Sequence, residues 1–250
     1  MNGTPRIRDD SRNKVNELYP LNEIPEDVIT GICGHIVYLL AVGRKDLTGN
    51  DFGDAFAEAI GGTHFASPLG VVDVGREREG WSVKTVKAKN PFSIETVRLI
   101  SGRNSPDYSF GIEDPHADLK KTGDAVLKIW NKRVSVAYEQ YRMVRSIVLV
   151  RNDDLTQFCL FEEEIRPFGS SEYFWEANAN GNFIGKEKRS KIARFTWQPH
   201  GSQFTIHVSV PSGAVRFELK KPRQLDKQDF LMNLHYDNSW VHTIAKLSDE

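Results

Sequence analysis

The feature that most constrains this chain lies between residues 70 and 87. Two short runs rich in valine, 70–74 and 81–86, are separated by six polar residues, 75–80, that begin with Gly75 and end with Gly80. Glycine-bounded polar residues between β-branched runs are hairpin punctuation. Folding this segment about its midpoint, between Glu77 and Arg78, sets Asp73 opposite Ser82. Side chains two apart on a strand share a face. Ser82 and Lys84 are therefore expected on the face of Asp73, with Val72, Val74 and Val83 turned the other way into a core. Charged groups set among valines are costly to bury unpaired. They must either pair with each other or face a cleft.

The rest of the pattern supplies elements to cover and extend such a hairpin. Residues 26–42 predict a buried helix rich in Ile, Val and Leu. Residues 50–60 predict a second, capped by Thr48 or Asn50 and ended by Gly61-Gly62. Its apolar stripe is Phe52, Ala55, Phe56, Ala59 and Ile60, and Asp51, Asp54 and Glu58 lie on the other side. Ser93 is read as the cap of a helix to about Ile100, stopped at Gly102. A long helical period covers 124–141. Strands are expected at 146–150, 157–161, 192–197, 204–210 and 215–219, with turns at 199–201 and 211–213. This order predicts a mixed α/β (α+β) fold, a mixed central sheet flanked by helices with a β-rich C-terminal third. At 250 residues the chain suits one domain, 23–250, after a flexible arm at 1–22.

Composition narrows the function classes. Hydrophobic residues make up 39% and charged residues 27%, and no apolar run nears the roughly 20 residues of a membrane span. The start of the chain is polar, with no apolar segment behind its basic residues. Cys33 and Cys159 form no spaced framework, so a reduced cytoplasmic protein is expected and a thiolate zinc site is not. The seven histidines show no zinc spacing, and no phosphate loop points to a nucleotide cofactor. Net charge is −1, but charge is segregated. Residues 81–104 hold five basic residues and one acid. Residues 183–223 hold nine basic residues against Glu187 and Glu218. Such runs can build a basic face on a neutral protein, or can be solvated surface.

A carboxylate beside a lysine is what metal-assisted phosphodiester hydrolysis requires. The carboxylate holds Mg²⁺ and the lysine positions or deprotonates the attacking water. Gly70-Val71-Val72-Asp73 followed by Trp81-Ser82-Val83-Lys84-Thr85-Val86-Lys87 resembles the PD-(D/E)xK core of type II restriction endonucleases. In that core an Asp on one strand and an acidic-x-Lys triplet on the next define the site. The resemblance covers about residues 48–104. It implies a restriction-endonuclease-like core at about 46–162 and a DNA-binding part at about 172–223. Asp73 would be the metal-binding Asp and Lys84 the catalytic Lys. The sequence departs from the pattern at Leu69-Gly70, where Pro often stands near the Asp, and at Ser82, where Asp or Glu is usual. Some members recruit an acid from elsewhere. Glu58 on the preceding helix is the expected third acid and second metal ligand, with Glu77 and Glu79, taken to face solvent, behind it.

The resemblance further implies Mg²⁺ as cofactor, double-stranded DNA as substrate, and a homodimer matched to a palindromic site. Candidate DNA contacts are Lys87, Lys89, Arg103, Asn104, Lys186, Lys188 and Arg189. Arg103 and Asn104 suit guanine and adenine edges, though their loop reads equally as a helix cap. Phe195 and Trp197 alternate as core positions would. Two other readings stay open: a repair or recombination nuclease with the same core, and a DNA-binding protein with an inactive hairpin.

Overall fold

The structure, a computed structural model, describes residues 17–242 and 244, apart from the side chains of 67–69. In chain order the elements are α1 (Glu26–Ala41), α2 (Gly49–Ile60), β1 (Thr63–Leu69), β2 (Val72–Arg76), β3 (Glu79–Lys87) and β4 (Thr96–Arg103). Then come α3 (Pro106–Phe110), α4 (Leu119–Gln140), β5 (Met143–Arg151), β6 (Gln157–Glu164) and β7 (Tyr173–Ala177). The chain continues through β8 (Phe183–Glu187), β9 (Ala193–Gln198), β10 (Gln203–Ser209), β11 (Val215–Glu218) and α5 (Lys227–Asn233). The fold is α+β, with two sheets.

The first sheet runs β1-β2-β3-β5-β6-β11 and the second β4-β10-β9-β8-β7. Among the described residues, only β3 and β5 pair in parallel, over their whole length from Glu79↔Met143 to Lys87↔Arg151. A parallel neighbour needs a long crossover, and β4, α3 and α4 supply it. Both faces of the first sheet are covered. Val74, Trp81, Val83, Ile147, Leu149 and Leu160 pack against α1 and α2. Val144, Val148, Val150 and Phe161 pack against α4 and the inner face of the second sheet, where Phe195, Phe204 and Ile206 are buried. Trp197 joins that core, as its alternation predicts. Among the described residues, no helix is long and apolar enough to cross a membrane.

The capping signals at α2 work as read. Thr48 Oγ1 accepts from the Asp51 amide while Asp51 accepts from the Thr48 amide, and Gly61 closes the helix at φ +63°. The hairpin register also holds: Val74 faces Trp81 and Arg76 faces Glu79. Its turn is shorter than expected. Gly75 and Gly80 are paired strand residues, and the turn is Glu77-Arg78 alone. The two glycines serve packing: a Cβ at either would press on Tyr141.

Three expectations fail. Residues 96–103 form a strand, not the end of a Ser93-capped helix, because burial alternates through Val97, Leu99 and Ser101 with period two. The arm at 1–22 is not loose over its described part. Tyr19 is buried, the Leu18 amide donates to Glu79 Oε1, and Asn22 exchanges hydrogen bonds with Glu162. Residues 1–16 lie outside the described residues. The sheets also do not follow the expected division at 46–162 and 172–223. β4 belongs to the second sheet and β11 to the edge of the first.

Candidate active site

The regular β2–β3 ladder ends at Val74↔Trp81. One residue further, the Asp73 side chain bridges the strands. Its Oδ2 accepts from the Val83 amide at 2.8 Å and from Ser82 Oγ at 3.1 Å. Lys84 Nζ stands 3.7 Å from the same oxygen. Asp73, Ser82 and Lys84 are thus brought together, but not by regular alternation: Val74 and Val83 face α1 and α2 as expected, whereas Val72 packs on the opposite face with α4. Among the described residues, nothing donates to Asp73 Oδ1. The carboxylate is oriented through one oxygen, and the Asp73 and Lys84 side chains are 22% and 23% exposed. Burial holds the Lys84 ammonium below the usual lysine range; Asp73 opposes that shift and the nearby Arg133 adds to it.

Among the described residues, no third acid is brought in. Glu58 is 75% exposed and pairs with His35 Nδ1 at 2.9 Å. The cause is the sheet itself. Its helix α2 packs on the Trp81 and Val83 face, whereas Ser82 and Lys84 project from the opposite one. Glu77 is exposed in the turn at φ +51°. Glu79, expected in solvent, is buried and takes the Leu18 amide, and burial pushes its carboxyl up. Along the sheet, Ser82 aligns with Ser146 and Ser146 with Glu163, but Glu163 is held by Arg194 at 2.9 Å. Among the described residues, no group of three or more His, Cys, Asp or Glu gathers to hold a metal ion.

The chain matches no family model, and no curated protein or solved structure matches it. Its function therefore rests on the chemistry of the site. A magnesium ion fits it in one form only: held by the Asp73 carboxylate, with substrate phosphate and water filling the remaining positions, as Mg²⁺ commonly is. A preformed cage of protein carboxylates does not fit.

Of the expected DNA contacts, Asn104 is overturned. It is fully buried; its Nδ2 donates to the Val126 carbonyl and its own carbonyl accepts from Trp197 Nε1. It cannot reach a base edge, because it ties β4 to α4 and β9. Lys87 pairs with Asp153 at 2.6 Å and Lys186 with Glu176. Lys89, Arg103, Lys188 and Arg189 are exposed. Arg133 carries no signal in the sequence, because it lies 60 residues after Asp73 within the long helical period. Only the crossover brings it near, half-buried beside both Asp73 and Lys84.

Proposed function

We propose that this protein is a Mg²⁺-dependent, sequence-specific endonuclease of double-stranded DNA, of the type II restriction kind, acting as a homodimer. The observation that carries this reading is Asp73: one oxygen fixed by the Val83 amide and Ser82, with Lys84 alongside. A bound magnesium ion would supply Lewis-acid polarisation of the scissile phosphate. Asp73 Oδ1 would hold it, and Ser82 would keep that carboxylate in register. Lys84 orients the attacking water and offsets the charge that develops on the phosphate.

The test is plasmid DNA with the purified protein and Mg²⁺. Discrete fragments are expected from the wild type and none from Asp73→Ala, with DNA binding retained in Ca²⁺. Full cleavage by Asp73→Ala would remove the assignment. A second reading, a DNA-binding protein that does not cut, is favoured by one observation: Ser82 occupies the place of an acid, and among the described residues no other carboxylate replaces it. Its signature is a gel shift with intact DNA. Nicks or structure-dependent cuts would instead point to a repair nuclease.

A further inference from the structure

Arg133 projects from α4 to three acceptors on two separate segments. Nη1 donates to the Ser101 carbonyl at 2.5 Å and lies 3.4 Å from Asn104 Oδ1. Nη2 donates to the Gly70 carbonyl at 3.3 Å. Gly70 opens the turn between β1 and β2, three residues before Asp73. Gly102 lies within the irregular end of β4, beside Ser101. Both segments are shaped to fit this one residue. Gly70 has φ +66° and Gly102 φ +105°, conformations that glycine adopts without steric cost. A Cβ at Gly70 would lie 2.5 Å from the Arg133 carbonyl oxygen, and a Cβ at Gly102 would strike the guanidinium. Two left-handed glycines closing around a single guanidinium make a clamp, and the strand leaving the first of them carries Asp73.

We infer that Arg133 is a positioning residue for Asp73, fixing through Gly70 the strand from which the carboxylate projects. The enzymatic part of this inference rests on the nuclease reading above. A guanidinium is a rigid planar fork of five N–H groups and can bridge both segments at once, whereas an ammonium is a compact point charge. Its pairing with main-chain carbonyls, and not with a carboxylate, leaves its charge beside Asp73 and Lys84 uncancelled. Removing it frees the Gly70 turn to leave α4 and shifts Asp73 relative to Lys84. Misplacement of a catalytic group by about 1 Å costs on the order of a hundredfold in rate.

The experiment compares wild type, Arg133→Gln, Arg133→Lys, Asp73→Ala and the double variant Arg133→Gln/Asp73→Ala. Hydrogen exchange is measured on the full chain and cleavage in Mg²⁺. In Arg133→Gln the amides of 71–74 and 101–104 are expected to exchange at least tenfold faster, with β5 and β6 unchanged. The rate constant kcat should fall tenfold to a hundredfold while KM for DNA holds, and Arg133→Lys should not restore it. Whatever residual rate Asp73→Ala retains should not fall further in the double variant. Unchanged exchange at 71–74, or faster exchange spread across β5 and β6, overturns the positioning role, since the latter is plain destabilisation. Retention of full kcat by Arg133→Gln overturns it as well. A wild type that leaves DNA intact overturns the nuclease reading alone, and the clamp is then decided by the exchange pattern.

Discussion

At the scale of the residue, the decisive position is Ser82. It donates to the carboxylate that an acid at that place would repel. If Mg²⁺ binds as proposed, the described residues offer it one carboxylate where two would share a metal, and affinity for the free ion should be low until a phosphate joins the shell. Ser82→Asp tests this directly. Two carboxylates at hydrogen-bond range cannot both ionise comfortably without a cation between them. The variant should lose about 1–3 kcal/mol of stability in EDTA and regain it in Mg²⁺, whereas the wild type should shift little. Thermal melts with and without MgCl₂ decide it; no metal-dependent recovery would mean that the two side chains do not face a common ion. His207 gives a second test at this scale. Its ring stands 2.9 Å from Thr196 Oγ1, and burial, then Arg98 and Arg194, hold it below the usual histidine range. A base depressed in the folded state leaves the unfolded chain holding more protons as pH falls. Stability should be fully present above about pH 6.5, the unfolded value, and decline below it through the folded value. Urea midpoints across that window should slope for the wild type and flatten for His207→Gln.

At the scale of the element, what is legible in the sequence is local, and what is not depends on distant partners. The α2 cap and the hairpin register follow from residues a few positions apart, and both hold. Thr48→Ala should cost about 1 kcal/mol by removing the acceptor for the Asp51 amide; an unchanged denaturation midpoint would show that the cap carries none of the helix's stability. Asp73, Ser82 and Lys84 are legible because they sit close to one hairpin turn, although the expected alternation breaks at Asp73, with Val72 and Val74 on opposite faces. β4 is disguised because Ser93 and Gly102 look like helix punctuation, while the period-two burial that decides the matter is imposed by β10 on one side and the core on the other. β1 and β7 leave no clear trace, since Ser67-Pro68 and the acids around Trp175 break any strand pattern in one dimension. For Glu58, helical period gives the exposed side of α2 correctly but not the side of the sheet on which α2 packs. Asn104 shows the reverse error. Its polar loop invites a contact with DNA, yet the side chain is fully buried. Asn104→Ala should cost about 1–3 kcal/mol, as the Val126 carbonyl loses its donor in the core.

At the scale of the whole molecule, charge that is segregated in sequence is partly paired by the fold. A net charge of −1 conceals nine basic residues against two acids over 183–223. The fold pairs several of the nine. Lys186 is held by Glu176, Arg194 by Glu163 and Lys221 by Asp154, and Arg216 donates to the Phe92 carbonyl. Inside, Arg145 is matched by buried Glu162, which also takes Trp81 Nε1 and Tyr19 Oη, so that charge serves to dock residues 17–22. Lys188 and Arg189, like Lys191, Lys220 and Arg223, take no ion pair among the described residues. Lys188 and Arg189 line a cleft of about 540 Å³ with Arg166, Tyr173 and the acids Glu172 and Glu187. A duplex is drawn by cations whose counter-charge is the solvent, because each phosphate that a cation neutralises releases a condensed counterion. If DNA lies across this face, Lys188→Glu with Arg189→Glu should weaken binding to every sequence and lower the salt slope by about 0.9 for each phosphate left unneutralised. Lys186→Glu should do less, since its ammonium already has a carboxylate. Fluorescence anisotropy over a range of salt concentrations, in Ca²⁺ to prevent cleavage, separates the cases. Equal slopes for all three proteins would confine DNA to the residues around the hairpin, with Arg78, Lys87, Lys89 and Arg103 among the exposed cations there.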